Sequence, residues 1–463
     1  MIKVSIIMPS LNVASYIRET MDSVISQTLK EIEIICVDAG STDGTLEILK
    51  EYASSDDRIR VILSEKKSYG YQMNLGISAA TGEYIGIVET DDYVEPDMYE
   101  KLFDAAEKNN ADIVKGDFDL FTKGSDGIRL YVPYSLKRYN RNEYGKIYSA
   151  DDYLSDRIKP ECYIWDAIYK RSFLLNNDIV FNETPGASFQ DFSFRYQTMY
   201  QAERIMAIEG VLYHYRREND KASTYDARTA EFNYRETEYS IKKLKERGVI
   251  SDGLPAAFIR EMIEYAFWPY VDMRKWVMPS DSTLESFERY RGLFIGLINN
   301  GSLCSKDLPY DLRIYLDCLI EGADFFMKYA EIVAGVQSER DVEFLKIVIR
   351  EKKIILFGSG VRGNAIYAFL KGNGVDSIVA FCDNNTNKQS TKNYGVGILS
   401  PEDAVKNYTD ALFILTSPAL EDEAKKQLAD LGVGDNDILS YRLSTTPHFC
   451  TNCMVKNRLD SLC

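Results

Sequence analysis

Short apolar segments alternate with segments of helical spacing over about the first 117 residues of the chain. Apolar runs such as VSIIMP and IEIICVD are typical of buried strands, whereas GTLEILKEYASS and MYEKLFDAAEKNN have the spacing of helices. This alternation predicts an α/β fold, with a mostly parallel sheet covered by helices on both faces. Ligands of such sheets bind at the carboxyl ends of the strands, so we expect a functional site at that edge.

The rest of the chain changes character twice. A less regular, Tyr-rich stretch follows the first alternation, then a stretch of helical spacing, and strand–helix alternation returns near residue 350. A length of 463 residues fits about three domains. We therefore predict domains at 1–225, 226–345 (helical) and 346–445, followed by a tail at 446–463.

Acidic residues outnumber basic ones, with 71 Asp and Glu against 55 Lys and Arg and a net charge of −16. An acidic surface argues against nucleic acid or an anionic membrane as a general partner. No run of about 18 uncharged apolar residues occurs, so we predict no transmembrane segment. The N-terminal MIKVSIIMPSLN is interpreted as a strand and not as a signal peptide, because polar and charged residues follow too soon.

The cysteines fall into two groups. Five of the eight are scattered among apolar residues, namely Cys36, Cys162, Cys304, Cys318 and Cys382. Such thiols indicate a reduced, cytoplasmic protein, and a peripheral position at the inner face of the membrane stays open. The tail contains His448, Cys450, Cys453 and Cys463. They could hold zinc, but their spacing is not a standard one, and a loose tail is the preferred interpretation.

Acidic side chains occur at three predicted strand ends in the first 225 residues. Asp38 ends the strand IEIICVD, Asp91 and Asp92 close the segment GEYIGIVETDD, and Asp191 lies in FQDFSF. Carboxylates at strand tips that face one crevice suit a hard cation such as Mg²⁺ or Mn²⁺, which would in turn bind a diphosphate. The alternative is that these acids are helix caps and turn formers. It suits Asp91 and Asp92 less well, because a cap needs only one acid.

Four motifs in order, VSIIMPSLN, IICVDAGSTDGT, QMNLGISAATGEYIGIVETDD and FQD, resemble those of the inverting family 2 glycosyltransferases. The resemblance covers about residues 1–225, nearly half of the chain. It implies the GT-A nucleotide-diphosphosugar transferase fold, and transfer of a sugar from a nucleotide donor to a hydroxyl with inversion at the anomeric carbon. It also implies Mn²⁺ or Mg²⁺ as the cofactor.

The resemblance further implies contacts to the donor nucleoside. Pro9, Asn12 and Asp38 would hold the base and the ribose. Asn74 stands in a Gln-Met-Asn-Leu-Gly segment where the family often has Ala-Arg-Asn-x-Gly. The donor contact of the absent Arg would come from a nearby lysine or glutamine.

The family's DxD-type motif corresponds to Glu89-Thr90-Asp91-Asp92, with Glu in place of the usual first Asp. The resemblance implies that Asp91 and Asp92 hold the cation and that Asp91 also contacts the donor. His214, in LYHYRRENDKAST, is a further candidate ligand, because some related enzymes have a late His. A packed or hydrogen-bonded His is the preferred alternative.

Asp191 corresponds to the family's catalytic base, and it follows Gln190 where the family has Glu. A carboxylate within hydrogen-bond reach can take the proton that an acceptor hydroxyl loses as it attacks the anomeric carbon. A helix cap is the alternative role for Asp191, and the two roles are compatible.

Three further candidates concern phosphate and acceptor. Arg216 or Arg217 would pair with the donor diphosphate, because a guanidinium matches phosphate geometry. Trp165 would line the acceptor site or belong to the core. The segment 128–148, which contains five Tyr and five Lys or Arg, is a candidate acceptor loop, with a packed surface loop as the equal alternative.

The later part of the chain carries one nucleotide-binding pattern. Gly358, Gly360 and Gly363 form GxGxxG between a predicted strand and a predicted helix, and Asp383 ends the next strand. The segment resembles the small Rossmann-like domain appended to some bacterial sugar transferases. A second nucleotide site and an accessory or interaction role without a ligand both stay open.

The sequence therefore predicts a metal-dependent inverting glycosyltransferase. It would move a sugar, with UDP as the expected carrier, to a hydroxyl of a bacterial cell-surface glycan (capsule, exopolysaccharide or lipid-linked oligosaccharide). The alternatives are a nucleotidyl- or phosphotransferase with the same metal site, an NAD(P)-dependent oxidoreductase centred on the C-terminal domain, and a non-catalytic scaffold. The aromatic segment EYAFWPYVDMRKWVM, with Trp268 and Trp276, would pack in the core or form a contact of a homo-oligomer.

Overall fold

The computed structural model describes residues 1–123, 129–136, 143–155, 163–219, 228–250, 254–271, 281–351, 353–416 and 421–441. These residues group into two compact units, one mainly within residues 1–327 and the other mainly beyond residue 328, with Leu120–Pro133 grouped with the second. The tail residues His448, Cys450, Cys453 and Cys463, together with Cys162, Trp276 and parts of segment 128–148, lie outside the described residues. The domain boundaries at 225, 345 and 445 stay predictions.

Ten of the described strands form one mixed sheet. They are β1 (Val4–Ser10), β2 (Ile32–Asp38), β3 (Ile59–Leu63), β4 (Tyr84–Ile87), β5 (Tyr93–Val94), β6 (Ile113–Lys123), β7 (Arg129–Tyr134), β8 (Ile147–Tyr148), β9 (Ala167–Lys170) and β10 (Ile205–Arg216). Their order is β3-β2-β1-β4-β9-β6-β10-β5, with β7 beside β6 and β8 beside β10.

The first four strands make the parallel half of this sheet. β1 pairs in parallel with β2 and β4, and β2 pairs in parallel with β3. Every residue of β1 is buried, as expected for a parallel strand with a layer on each face. The predicted α/β fold with a mostly parallel sheet is confirmed for this part of the chain.

Amphipathic helices connect these strands and cover the sheet. Those of residues 1–201 are α1 (Ile17–Ile25), α2 (Thr45–Ser55), α3 (Tyr69–Ala79), α4 (Met98–Asn109), α5 (Ala150–Ser155), α6 (Arg171–Asn176) and α7 (Gln190–Gln201). Helix α3 begins at Tyr69, three residues before Gln72. Ser68 caps the helix, because its hydroxyl accepts a hydrogen bond from the backbone N–H of Tyr71 at 3.2 Å.

The antiparallel half of the sheet continues from β4. β9 runs antiparallel to β4 and β6, and β10 runs antiparallel to β5 and β8. β5 has only two residues, too few to show any periodicity in the sequence. Its pairing matters, because it holds the segment around Asp91 and Asp92 against β10, with Tyr93 opposite His214.

The chain then becomes helical, as predicted. The helices are α8 (Thr229–Glu246), α9 (Ala256–Val271), α10 (Asp281–Asn299), α11 (Tyr310–Glu321) and α12 (Ala323–Val348), with a short 3-10 helix at Ser305–Asp307. No described helix, here or elsewhere, combines the length and the apolar composition that crossing a membrane requires.

The second unit has a sheet of its own. Its described strands are β11 (Ile354–Phe357), β12 (Ile378–Cys382), β13 (Lys392–Asn393), β14 (Val396–Leu399), β15 (Leu412–Leu415) and β16 (Ile438–Ser440), in the order β13-β14-β12-β11-β15-β16. The helices between them are α13 (Val361–Gly372), α14 (Pro401–Asn407) and α15 (Glu421–Asp430), and a 3-10 helix spans Asp435–Asp437. Pairing is parallel except between β13 and β14.

Close packing joins the start of α3 to the segment before α7. The backbone N–H of Tyr69 donates to the carbonyl of Gly186 at 3.0 Å, and that of Gly186 donates to the carbonyl of Lys67 at 2.8 Å. A Cβ added at Gly70 would lie 1.9 Å from the carbonyl oxygen of Asn182. Position 70 therefore cannot accept a side chain unless the backbone moves.

We expect Gly70→Ala to lower the free energy of unfolding by about 1–3 kcal/mol, because the overpacked segments must shift. Denaturant unfolding of the full chain measures the change. Gly292→Ala is the matched control, since its added Cβ would have nothing within 4 Å. Within α10, alanine there should raise stability by up to about 1 kcal/mol. A Gly70→Ala variant as stable as the wild type would contradict the described packing.

Candidate active site

The carboxyl ends of β1, β2 and β4 lie side by side at one edge of the sheet. Ser10, the last residue of β1, is the register partner of Asp38, the last residue of β2. β4 ends at Ile87, two residues before Glu89. The structure therefore brings the turns that follow these three strands to the same edge.

Asp38 shapes the turn after β2. The side chain is fully buried, and its Oδ1 accepts hydrogen bonds from the backbone N–H groups of Gly40 and Ser41, both at 2.9 Å. Its Oδ2 accepts from the Ser41 hydroxyl at 2.5 Å. The carboxylate is thus engaged by its own turn, and its contact to a nucleoside stays a prediction.

Asn12 and Pro9 tie the turn after β1 to its neighbours. Asn12 has φ of +56°, a conformation that Asn tolerates better than most residues. Its Oδ1 accepts a hydrogen bond from the N–H of Thr42 at 2.8 Å, and the Pro9 carbonyl accepts from the Thr90 hydroxyl at 2.8 Å. Both predicted donor residues therefore join turns of the shared edge.

Asp92 anchors the loop between β4 and β5. Its Oδ2 accepts from the hydroxyl of Tyr213 at 2.7 Å, and its Oδ1 accepts from the N–H of Arg216 at 2.7 Å. The side chain is fully buried, and burial together with the charge of Asp91 raises the pKa of Asp92. Both carboxylate oxygens thus hold the loop to β10.

Arg216 is a buried cation beneath this loop. Its Nε donates to the carbonyl of Asp91 at 2.6 Å, and its two terminal nitrogens pair with Glu19 at 2.6 Å and Glu218 at 2.5 Å. The guanidinium also lies over the ring of Tyr16, 4.9 Å from its centroid. The sequence predicted that Arg216 or Arg217 pairs with the donor diphosphate, whereas the structure gives Arg216 protein partners on every side-chain nitrogen.

Asp91, whose backbone carbonyl accepts from Arg216, is half-buried. Its Oδ2 accepts a hydrogen bond from the side-chain amide of Asn219 at 2.7 Å. Burial raises the pKa of Asp91, although Asn219 and the charge of Arg216 act in the opposite direction. Asn219 was not predicted as a site residue, although it lies only three residues after Arg216.

Glu89 lies near two other acids, Asp91 and Asp191. Its Oε1 accepts a hydrogen bond from the hydroxyl of Tyr69 at 2.6 Å. Burial, aided by the charges of Asp91 and Asp191, raises the pKa of Glu89 to about 8. The crevice therefore brings together Glu89, Asp91 and Asp191, with Tyr69 as a partner that sequence reasoning missed.

Asp191 lies in the first turn of α7. Burial raises its pKa to about 6, against the lowering effects of the backbone N–H of Phe192 and the charge of Arg195. The turn is entered through Phe189 at φ of +63°, a conformation uncommon for a residue with a side chain and frequent at functional sites. The carboxyl group is thus poised to change protonation near neutral pH.

Gln190 organises the loop before Asp191. Its Nε2 donates to the carbonyls of Thr184 at 3.1 Å and Gly186 at 3.0 Å and to the Thr184 hydroxyl at 3.0 Å. Its Oε1 accepts from the N–H of Ser188 at 2.7 Å. A glutamate could not make the three donated bonds, so the departure from the family's Glu has a structural reason.

His214 has a carboxylate at each ring nitrogen. Nδ1 lies 2.8 Å from Oδ1 of Asp119, Nε2 lies 2.9 Å from Oε1 of Glu95, and Tyr93 stacks on the ring at 4.2 Å between centroids. Burial opposes the charged ring, but the two carboxylates outweigh it and raise the pKa of His214. This geometry favours the hydrogen-bonded alternative over the metal ligand.

The three predicted metal ligands do not form one cluster. In the part of the chain that the structure describes, no group of three or more His, Cys, Asp or Glu side chains is arranged to hold a metal ion. The reason is local: the oxygens of Asp92 and the nitrogens of His214 bond to other side chains and to the backbone. Of the three residues, Asp91 is the one with a half-buried carboxylate at the crevice.

The remaining predicted contacts have structural partners. The side-chain amide of Asn74 exchanges two hydrogen bonds with the backbone of Phe181, at 3.0 and 2.9 Å. Trp165 is 5% exposed and stacks on Tyr213 with 4.1 Å between centroids. This packing favours the core interpretation of Trp165.

Arg217 lies nearer to the surface than Arg216. Its guanidinium lies 5.6 Å from the ring centroid of Tyr215, and the side chain is half-buried. One described tyrosine of the candidate acceptor loop is engaged within the protein. The hydroxyl of Tyr144 donates a hydrogen bond to the carboxylate of Asp117 at 2.7 Å.

The glycine pattern of the second unit lies between β11 and α13. Gly358 has φ of +108°, and a Cβ at Gly363 would lie 1.9 Å from the Gly358 carbonyl oxygen. Gly360 immediately precedes α13. Asp383 Oδ2 accepts from the N–H and hydroxyl of Ser359 at 2.9 and 2.5 Å, and these bonds outweigh burial and lower the pKa of Asp383. Nucleotide binding there stays a prediction.

Two family models match the chain. The model described as Glycosyl transferase family 2 matches residues 5–174, and the model described as C2185-like, N-terminal, matches residues 350–439.

Solved structures share the fold over much of this chain. S. aureus TarS has a TM-score of 0.53 at 20% identity, over 71% of this chain and 55% of that chain. Residues 1–349 of TarS in complex with UDP-GlcNAc give a TM-score of 0.52 at 19% identity, over 71% of this chain and 91% of that chain. Together with the sheet order, these similarities confirm the predicted GT-A fold.

Two relatives are similar in sequence. The Uncharacterized glycosyltransferase EpsJ of Bacillus subtilis is 33% identical over 245 residues, which are 52% of this chain and 68% of that protein. Glycosyltransferase GlyG of Streptococcus pneumoniae is 30% identical over 223 residues, which are 46% of this chain and 70% of that protein. With more than two thirds of each relative covered at this identity, the chain belongs to glycosyltransferase family 2.

Proposed function

We propose that the protein is a metal-dependent inverting glycosyltransferase. It moves a sugar from a nucleotide-diphosphate donor, with UDP as the carrier, to a hydroxyl of a growing bacterial cell-surface glycan. The observation that carries this proposal is the meeting of segment 89–92 with the loop before Asp191, because Tyr69 donates through its hydroxyl to Glu89 at 2.6 Å and through its backbone N–H to the carbonyl of Gly186 at 3.0 Å. Glu89 and Asp91 come from one segment of the chain and Asp191 comes from a distant one. This suits a crevice in which one segment binds the cation and the other provides the base.

The donor class is supported by membership of the family and by the fold. TarS, which has the same fold, is known in complex with UDP-GlcNAc, and this favours a UDP-linked sugar here. The turns that contain Asn12 and Asp38 lie at the carboxyl edge of the parallel strands, where ligands of such sheets bind. We therefore place the nucleoside against these turns.

The cation is assigned to Asp91. Carboxylate oxygens are the ligands that Mg²⁺ and Mn²⁺ prefer, and a cation would offset the burial that raises the pKa of this side chain. The other two predicted ligands have protein partners. Asp92 accepts a hydrogen bond from Tyr213, and the ring nitrogens of His214 bond to Asp119 and Glu95. When bound, the cation would offset the negative charge that develops on the leaving nucleoside diphosphate.

Asp191 is assigned as the general base. An acceptor hydroxyl must lose its proton as it attacks the anomeric carbon, and an ionised carboxylate can take that proton. One base and one leaving group give a single displacement, which inverts the anomeric centre. A second, nucleophilic carboxylate is not required, in contrast to retaining glycosidases.

We assign the protein to the cytoplasm, where nucleotide sugars are available. Among the described residues, Cys36, Cys304, Cys318 and Cys382 are free thiols, and all of these except Cys304 are buried. Free thiols are typical of proteins of a reducing compartment.

Asp191→Asn should lower the turnover of UDP-sugars by about 100-fold or more, because the amide cannot accept the proton. The binding of UDP should stay within about twofold of the wild type, since the nucleoside lies against other turns. UDP release from a panel of UDP-sugars measures the first quantity, and calorimetry measures the second. Asp151→Asn, at an exposed acid at the start of α5, is the matched control and should behave as wild type. Undiminished turnover by Asp191→Asn would remove the assigned base.

Removal of divalent cations should abolish turnover, and Mn²⁺ or Mg²⁺ should restore it. Asp91→Asn should weaken binding of UDP with Mn²⁺ by at least about tenfold, because a charged oxygen ligand is lost. Asp97→Asn is the control, since Asp97 pairs with Lys101 of α4 at 2.7 Å. Calorimetric titration with and without Mn²⁺ measures both variants. Full activity in a chelator would rule out the assigned cation.

A further inference from the structure

One face of α8 lies against the loop that leads to Asp191. Phe232, Arg235 and Glu236 occupy positions i, i+3 and i+4 of this helix, which share one face. Phe232 approaches Phe189 with 6.5 Å between ring centroids, and Arg235 donates to the Ser188 hydroxyl at 2.8 Å. Neither the family motifs nor the sequence pattern assigns a role to this helix.

Glu236 makes the deepest contact of this face. Its side chain is fully buried, and Oε1 accepts hydrogen bonds from the side-chain amide of Asn182 at 3.0 Å and the hydroxyl of Thr184 at 3.4 Å. Ser193, in α7, contributes a further side-chain interaction. Glu236 therefore contacts the loop at its start and the helix that follows it.

The same loop is fixed from its other side by α3. The carbonyl of Gly186 accepts from Tyr69, and the carbonyl of Asn182 faces Gly70. Within the loop, Gln190 bonds to Thr184, to which Glu236 also bonds. The contacts of α8 thus complete a frame around the residues immediately before Asp191.

Two charged groups that act on Glu236 are Arg235, on its own helix, and Asp191, on α7. Burial, with a contribution from the charge of Asp191, raises the pKa of Glu236 to about 7, while Ser193, Arg235 and Asn182 act in the opposite direction. Oε1 can accept from Asn182 and Thr184 whether the group is protonated or ionised. A glutamine at this position keeps that oxygen, whereas an alanine removes it.

We propose that Glu236 is a positioning residue, which holds the loop of residues 182–189 from α8 and so presents Asp191 to the acceptor. The inference rests on the proposed role of Asp191 as the base. It predicts a loss in turnover with little change in donor binding, because the donor turns belong to other strands.

The kinetic test compares Glu236→Ala, Glu236→Gln and, as the matched control on the exposed side of α8, Glu238→Ala. Glu236→Ala should lower turnover in UDP-sugar hydrolysis by about tenfold or more, because small displacements of a catalytic group are costly. UDP affinity should stay within about twofold, and Glu236→Gln and Glu238→Ala should keep turnover within about threefold. Asn182→Ala removes the same bond from the loop and replaces Glu236→Ala if that variant does not fold.

Three results would overturn the inference: unchanged turnover in Glu236→Ala, a glutamine variant as impaired as the alanine variant, or a parallel loss of UDP affinity. Hydrogen–deuterium exchange gives a readout that needs no activity. Faster exchange confined to residues 182–190 in Glu236→Ala supports positioning, and unchanged or chain-wide exchange contradicts it. A wild type that neither binds UDP nor releases it from UDP-sugars would refute the proposed function alone, because the exchange measurement still tests the loop.

Discussion

The candidate site depends on the hydrogen bonds and ion pairs of the buried Arg216 guanidinium. This guanidinium joins the last residue of β10 to the carbonyl of Asp91 and to Glu19 of α1, three parts of the chain that are far apart in sequence. Asp92 completes the connection from the opposite strand, through Tyr213 and the backbone of Arg216. Removing one partner of such a buried pair leaves an uncompensated charge, which is why the loop has one defined position.

This frame allows acids to stay close together at the edge of the sheet. Glu89, Asp91 and Asp191 all have raised pKa values, chiefly because they are buried. Full ionisation of these three groups is unfavourable, because burial and neighbouring like charges both disfavour the charged forms. Under the proposed function, a bound cation with its diphosphate would offer the compensation, and a base with a raised pKa would be well matched to catalysis near neutrality.

Local patterns were sufficient to predict much of the fold. Strands β1 and β2 were predicted from their apolar runs, and the helices near them from their helical spacing. The GT-A fold was predicted from the resemblance of the motifs. The position of Asp191 near the start of a helix was also foreseen, but the predicted cap role was wrong, because Phe189 is the N-cap residue and Asp191 lies within the first turn. β5 was not foreseen, because two residues carry no period and its pairing is decided by β10.

The roles of individual side chains were less predictable, because their partners come from distant segments. Arg216 has the residue type that binds phosphate, yet its partner Glu19 lies 197 residues away along the chain. In the sequence, Gln190 stands where the family has Glu, which suggested only the loss of an acid. In the structure, its amide donates to three oxygens of the loop. Glu236 belongs to a helix without any motif, and only packing brings it to the loop before Asp191.

The pH dependence of UDP-sugar hydrolysis tests the central claim most directly. Asp191 must be ionised to accept a proton, and its pKa is raised to about 6. The rate should therefore rise about tenfold per pH unit below that value and level off above it, and Asp191→Asn should lack this limb. A limb centred near 4, the ordinary value for aspartate, or the same limb in Asp191→Asn, would contradict the account.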